Sequence, residues 1–400
     1  MIPAKVVSSL VMQIDSVADQ KPPLFYIADW LPPDFGAVGQ YALISSQQMA
    51  ATGRETYLVG LARGPTSKEI VSFEDGANGV LTIQRLQAKP YEKTRFFRRL
   101  LWTLSTNIRL FWAVFRHPKS HGAEILFTGA PPFMLYFAIA LKYLRGAHLT
   151  YRITDFYPEA IIAHLGRRSP PLALLERLTW FLRMRVDLFE VLGEDQQALL
   201  LRGGIPQKRI VIKRYTAPVP ITGREAPALK PPSLRDRKVL LYSGNYGVAH
   251  EVETVAQGFA RYHQLGAGQF GLWLNATGRN ADILERRLLD LGIPVARTTP
   301  VALNDLPALL AAADAHLITL RAEFSGIVFP SKVYGCILSG RPIIFVGPKS
   351  SDVHLLCTQA QQRYIHVTPG DVVGFAQALQ QLELCPANVS EHQTQGRNQS

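Results

Sequence analysis

Ser331 and Lys332, within "FPSKVYG" (329–335), stand at the mouth of a mostly apolar run about one helix long. A cation in the first turn of a helix opposes the dipole, so two readings compete. In one, Ser331 is an ordinary cap and Lys332 a solvated lysine. In the other, the lysine and the unpaired backbone amides face an anion. A diphosphate seated there would gain roughly 0.3 to 2 kcal/mol from the dipole, plus a charge-assisted bond to Lys332. Ser325 and Gly326 supply the flexible turn that leads there.

Three other stretches carry residues suited to the same kind of chemistry. In "LLYSGNYGVAHEVETV", Gly244 and Gly247 permit a tight loop, Asn245 can present an amide, and His250 is expected in the first turn of the next helix. Taken singly, His250 reads more readily as a capping or core histidine. In "ADWLPPDFGAVGQYALISSQQMA", Gly36 and Gly39 open an amphipathic helix where backbone can approach a ligand closely. In "YRITDFYPEAIIA", Asp155 falls at the C-terminal end of a strand and Glu159 in the following turn or helix start. Two carboxylates at such an edge suit orientation or deprotonation of a hydroxyl. The bland alternative, a pair complementing a helix dipole, fits Glu159 better than Asp155.

These side chains need a scaffold that brings strand ends and helix starts together. Short apolar runs alternating with helical patterns predict βαβ units around parallel, doubly wound sheets. The expected strands of the first half are "LFYIA" (24–28), "TYLVGL" (56–61), "EILFTG" (124–129), "LTYRITD" (149–155) and "DLFEVLG" (187–193), with helices over about 37–51, 133–144 and 171–186. From 216 to 237 the texture becomes proline-rich and aperiodic, which marks a linker. The second half restarts with "KVLLYSG" (238–244), "FGLWLNATG" (270–278), "AHLITL" (315–320) and "PIIFVG" (342–347), with a helix over 303–313. A chain of 400 residues exceeds one hydrophobic core. Two α/β domains follow, 1–215 and 238–384, joined by 216–237 and trailed by a polar tail, 385–400.

Forty-three basic against 31 acidic residues give a formal charge of +12, which implies anionic company. The basic stretches lack helix-turn-helix, RNP-like or zinc-finger spacing, so no nucleic-acid partner is expected. Cys336, Cys357 and Cys385 form no paired spacing, so neither a disulfide framework nor a metal site is indicated. A cytoplasmic location fits, without a secretory signal or a spanning segment. The stretch 93–119 reads as one helix carrying Arg95, Arg98, Arg99, Arg109 and Arg116 among Phe96, Phe97, Trp102, Phe111, Trp112 and Phe115. It suits an anionic membrane surface as well as it suits ordinary packing on a sheet.

Taken in order, "PPDFGAVGQYALISSQQMAATGRETYLVGL", "ILFTGAPPFMLYFAIALKYLRGAHLTYRITDFYPEA", "YSGNYGVAHEVETV" and "GIVFPSKVYGCILSGRPIIFVG" resemble the family 4 glycosyltransferases of bacterial surface-polysaccharide assembly. The resemblance implies the GT-B fold, two Rossmann-like domains facing across a cleft, and transfer of a sugar from a nucleotide-sugar donor to a saccharide or lipid-linked acceptor, with retention. It implies no cofactor and no metal; peripheral attachment to the inner face of the plasma membrane is an expectation that rests on the basic aromatic helix at 93–119. By similarity Gly244, Asn245, Gly247, His250, Thr277, Gly278, Ser325, Gly326, Ser331, Lys332 and Tyr334 line the donor pocket. Gly36, Gly39, Asp155 and Glu159 face the acceptor, with Asp155 and Lys332 as the catalytic pair. Many relatives carry a glutamate that holds the donor ribose directly after the Tyr of the Pro-Ser-Lys segment; this chain has Gly335 there. Where the commonest version has a second glutamate upstream, this chain has Ile327, with Glu323 nearby. Those departures leave a non-catalytic nucleotide-sugar-binding scaffold as the competing expectation, and the fold also admits a sugar epimerase.

Overall fold

The computed structural model describes residues 21–34, 37–73, 79–89, 96–266 and 268–384. Gly36, Arg95 and Cys385 lie outside them. The chain forms two compact units. One is built from Met1–Tyr157, Arg177–Glu190 and Ile205–Val211, the other from Pro158–Glu176, Val191–Gly204 and Ile212–Ser400.

The first unit is organised on strands β1 (Leu24–Trp30), β2 (Thr56–Ala62), β3 (Ser67–Phe73), β4 (Gly79–Gln87), β5 (Glu124–Thr128), β6 (His148–Ile153), β7 (Leu188–Val191) and β8 (Ile210–Ile212). They lie in the order β3-β4-β2-β1-β5-β6-β7-β8. The run from β4 through β6 is parallel, and β3 caps the edge antiparallel to β4. Strand order reverses between β1 and β5, so the crevice outside their carboxyl ends is where a doubly wound sheet binds ligands. The central strands are apolar at nearly every position because both faces are covered. Leu24, Tyr26, Ala28, Leu58, Leu81, Ile83 and Leu126 meet Ala42 and Ala50 of helix α1 (Ala37–Ala51). Gly39 permits that packing, since a Cβ there would lie 1.8 Å from the Trp30 carbonyl oxygen.

Helix α2 (Phe96–Phe115) departs from the ordinary amphipathic expectation. Its inward face holds Thr103, Thr106 and Asn107 beside Leu110 and Val114. Asn107 Nδ2 donates to the carbonyls of Thr103 and Pro132 at 2.8 and 2.9 Å, which satisfies the amide nitrogen turned inward. Leu101, Leu104, Ile108 and Trp112, at helical spacing, form an outward apolar stripe that leaves Leu101 66% exposed. The remaining helices before the second sheet are α3 (Met134–Arg145), α4 (Glu159–Leu165), α5 (Pro170–Arg183) and α6 (Glu194–Arg202).

The second unit carries β9 (Lys238–Asn245), β10 (Phe270–Thr277), β11 (Val295–Thr298), β12 (Ala315–Thr319), β13 (Ile343–Val346) and β14 (Tyr364–Val367). All pairings are parallel and the order is β11-β10-β9-β12-β13-β14. The switch point falls between β9 and β12. Helices α7 (Glu253–Gln264), α8 (Arg279–Asp290), α9 (Leu306–Ala311), α10 (Lys332–Leu338), α11 (Asp352–Gln359) and α12 (Val372–Leu384) complete it. Its main core joins Leu240, Tyr242 and Leu272 to Val255, Phe259, Leu284 and Phe375. The proline-rich stretch before β9 is packed rather than free: Leu234 is buried with Val239, Leu241 and Trp273, and Ala228 donates its amide to Ala308 at 2.9 Å.

Candidate functional site

In the second unit, the side chains converge at the switch point. Lys332, first residue of α10, donates a hydrogen bond from Nζ to the Tyr242 hydroxyl and lies 3.8 Å from that ring's centroid. The Tyr242 hydroxyl in turn donates to the Asn245 carbonyl at 2.8 Å. Gly244 has φ +118°, and a Cβ added there would touch Lys332 Cε at 3.7 Å, so the glycine loop and the lysine are neighbours. The partner of Lys332 is a phenol and an aromatic face instead of a carboxylate. Burial consequently pulls its ammonium from the usual 10.5 down to about 7.

His250 is buried and precedes α7 instead of lying in its first turn. Its Nδ1 stands 2.8 Å from the Thr319 carbonyl oxygen of β12. A carbonyl only accepts, so Nδ1 carries the proton. Burial, with the Lys332 charge adding to it, holds the imidazole neutral well below its ordinary range, which leaves Nε2 as a lone-pair acceptor. The Asn245–His250 loop is fastened to the turn after β10: Tyr246 N donates to Thr277 O at 2.7 Å, and Asn280 Nδ2 to His250 O at 3.0 Å. Gly278, at φ +111°, is required at that junction, because a Cβ would fall 2.6 Å from both Asn245 Oδ1 and the Tyr246 carbonyl. Asn245 and Thr277 are exposed and Gly247 half-buried, so this lip can meet a ligand.

The other donor-side expectations are placed differently. Ser331 occupies the N-cap position of α10, but with helical φ, ψ of −58°, −17° and no side-chain capping bond. Ser325 Oγ lies 3.1 Å from Ser350 Oγ, and Gly326, at φ +71°, closes against the Asp195 carbonyl. Tyr334 is buried and stacked on Phe329, with ring centroids 5.7 Å apart, beside the Asp352, Arg214 and Asp195 charges. Gly335 is buried, and a Cβ there would meet Leu310 Cδ1 at 3.2 Å and Ile221 Cδ1 at 3.7 Å, so an apolar wall faces the position of the expected ribose carboxylate.

In the first unit, Asp155 follows β6, and burial pushes its carboxyl up to about 6. Glu159 is buried as the first residue of α4 and belongs to the second unit, so the compact units do not group the two carboxylates. Gly39 serves helix packing, as described. Sequence reasoning missed Tyr242, Thr319 and, in the first unit, Asp29 near the end of β1. The strand-end rule that selected Asp155 applies equally to Asp29 in "FYIADW".

No protein-family model matches the chain. In sequence it is 22% identical over 282 residues to the probable glycosyltransferase WbjE of Pseudomonas aeruginosa, covering 68% of each chain. In structure it resembles sucrose-phosphate synthase from Thermosynechococcus elongatus, with a TM-score of 0.63 at 14% identity over 92% of this chain and 91% of that one. HepE of Anabaena, solved in complex with UDP and glucose, gives a TM-score of 0.60 at 12% identity over 92% and 90%. The chain therefore has the GT-B fold of two Rossmann-like units and is related to a glycosyltransferase in sequence.

Proposed function

We propose that this protein is a nucleotide-sugar-dependent glycosyltransferase of the family 4 type, acting in cell-surface polysaccharide biosynthesis. The observation that carries the reading is the convergence of Lys332 with the Gly244 loop and His250 at the second unit's switch point. A lysine at about 7 without a carboxylate partner is a charge waiting for an anion. When a donor diphosphate arrives, it supplies the negative charge that the site lacks, and Lys332 takes up a proton and holds the leaving group. The anomeric C–O bond then breaks with its electron pair departing on the nucleoside diphosphate, while the acceptor oxygen bonds the anomeric carbon and its proton passes to the leaving diphosphate oxygen. Asp155 orients the acceptor hydroxyl, and the outward stripe of α2 rests on an anionic membrane surface.

Nucleotide sugars screened by thermal shift should identify the donor, beginning with UDP-sugars because HepE was solved with UDP and glucose. With that donor, Lys332→Ala should lower turnover roughly 100- to 1000-fold while the variant stays folded. Near-normal turnover would remove the lysine from the mechanism. Gly335 and Ile327 favour a second reading, a scaffold that binds donor without turnover, and the same assay separates it from the first.

A further inference from the structure

The carboxyl end of the first sheet carries two tryptophans that the proposed reaction leaves unused. Pairing of β1 with β2 runs in step from Leu24 through Ile27 and resumes at Trp30 opposite Leu61. Unbroken alternation would send Trp30 to the face of Tyr26 and Ala28, which packs on α1. After the register shift it is Leu31 that joins that face. Trp30 stacks instead on Trp102 of α2, with ring centroids 6.0 Å apart and planes 21° from parallel. Both residues are half-buried, so each keeps surface in water. Trp102 Nε1 donates to the Lys89 carbonyl at 2.7 Å, and Asn107, further along α2, donates to the Pro132 carbonyl after β5. Those bonds hold the pair at the sheet's carboxyl edge.

Beside the pair is an acceptor without a donor. Asp29 Oδ1 is buried with no hydrogen-bond partner. Leaving a buried polar atom unmet costs folding free energy and calls for an explanation. A second carboxyl lies at the same edge: β5 stands between β1 and β6, and a Cβ at Gly129, just past β5, would lie 2.9 Å from the Asp155 carbonyl. Aromatic faces beside carboxyls suit a neutral sugar ring, whose C–H face packs on the negative face of an indole and whose hydroxyls donate to carboxyl oxygens. A phosphate would meet like charge from the two aspartates. Arg85, which reaches the Pro32 carbonyl after β1, is already paired with Glu69.

We propose that Trp30 and Trp102 form the platform on which the terminal sugar of the acceptor stacks, with Asp29 receiving one of its hydroxyls. This rests on the glycosyltransferase reading and names the acceptor class: the end that enters is a neutral saccharide and not a lipid phosphate. All three residues belong to the first unit, so the platform binds saccharide without the donor. Burial raises the Asp29 carboxyl to about 7, with the Asp155 charge adding to it, so both of its forms are present near neutral pH. A sugar hydroxyl donates and accepts, and therefore satisfies either form.

The test labels the full chain with 5-fluorotryptophan and assigns the fluorine resonances through Trp30→Phe, Trp102→Phe and Trp112→Phe. Methyl glycosides of neutral hexoses and N-acetylhexosamines are titrated, with inorganic phosphate as the charged probe. A glycoside should move the Trp30 and Trp102 resonances and leave that of Trp112, on the outward stripe of the same helix, in place; phosphate should move neither platform resonance. Read at Trp102, Trp30→Ala should weaken glycoside binding about fivefold or more, and Trp30→Phe, which keeps a ring face, should weaken it less. UDP affinity should stay within about twofold of wild type in both variants, which separates a lost platform from a lost fold. Platform resonances that no glycoside moves, a Trp112 shift of equal size, or phosphate binding in place of glycoside would overturn the proposal. So would anionic liposomes that shift Trp30 where glycosides do not, since the ring would then belong to a membrane surface. Glycoside binding at the platform of a protein that transfers no sugar would support the platform and sink the glycosyltransferase reading. Sugar transfer whose acceptor KM ignores Trp30→Ala would do the reverse.

Discussion

At the scale of single residues, Lys332 and Asp29 are both kept near neutrality by burial, with opposite consequences for stability. Lys332 has a folded pKa of about 7 against an ordinary 10.5, so the folded state resists the proton. That cost is complete below the folded value and is relieved as pH rises from there toward 10.5. Asp29 has a folded value of about 7 against 3.8, so the folded state prefers the neutral carboxyl. The stability it contributes is complete below 3.8 and lost as pH rises through 7. Thermal melts of ligand-free protein should therefore show Lys332→Met stabilising at about pH 6 but not at about pH 10, and Asp29→Asn stabilising at about pH 8 but not at about pH 4. Anion binding should reverse the lysine's cost. Titration of UDP at about pH 8, in two buffers of different ionisation enthalpy, should reveal proton uptake in the wild type and none in Lys332→Met. Lys332 and Gly244 were legible in the sequence because a lysine at a helix start and a glycine after a strand are local oddities. The phenol of Tyr242, which seats the lysine, reads in sequence as one more apolar strand residue.

Among the elements, α2 shows where periodicity stops. The 3.6-residue pattern of Leu101, Leu104, Ile108 and Trp112 identifies a helix with an apolar stripe, but a stripe facing a core and a stripe facing out have the same period. Contacts with Pro132 and the burial of Thr103, Thr106 and Asn107 turn the polar side inward. Arg98, Arg109 and Arg116 are exposed with the stripe, and Arg116 lies 4.9 Å over the Trp112 ring. Flotation with anionic liposomes at low salt should lift the wild type, and Leu101→Gln with Leu104→Gln should leave it in the soluble fraction without a loss in melting temperature; unchanged flotation would remove the membrane role of α2. The β10–α8 turn makes a prediction of its own. Gly278 sits at φ 111°, ψ 153°, a region nearly reserved for glycine. Gly278→Ala should cost about 1 to 3 kcal/mol in denaturant unfolding and loosen the Asn245 lip, weakening donor binding along with stability.

Over the whole molecule, the two sheets repeat one plan, each with its own switch point, and the family resemblance is what expects the donor on the second. Hydrogen exchange with and without UDP should gain protection in peptides covering 242–250, 277–280 and 330–338, and not in those covering 56–62. Protection confined to the first unit would reverse the assignment of the donor. From sequence alone, the alternation of apolar runs and helical patterns determined two parallel α/β units, and the order of four motifs pointed to GT-B, because strand and helix periods are properties of neighbouring residues. Tertiary structure alone decided the strand order that puts β9 beside β12 and β1 beside β5, the edge pair β3 and β4, the outward turn of α2, and the register shift of β1 between Ile27 and Trp30. Each of these depends on pairing and burial between segments far apart in the chain, where competing arrangements share the same local pattern and differ only in which surfaces leave water.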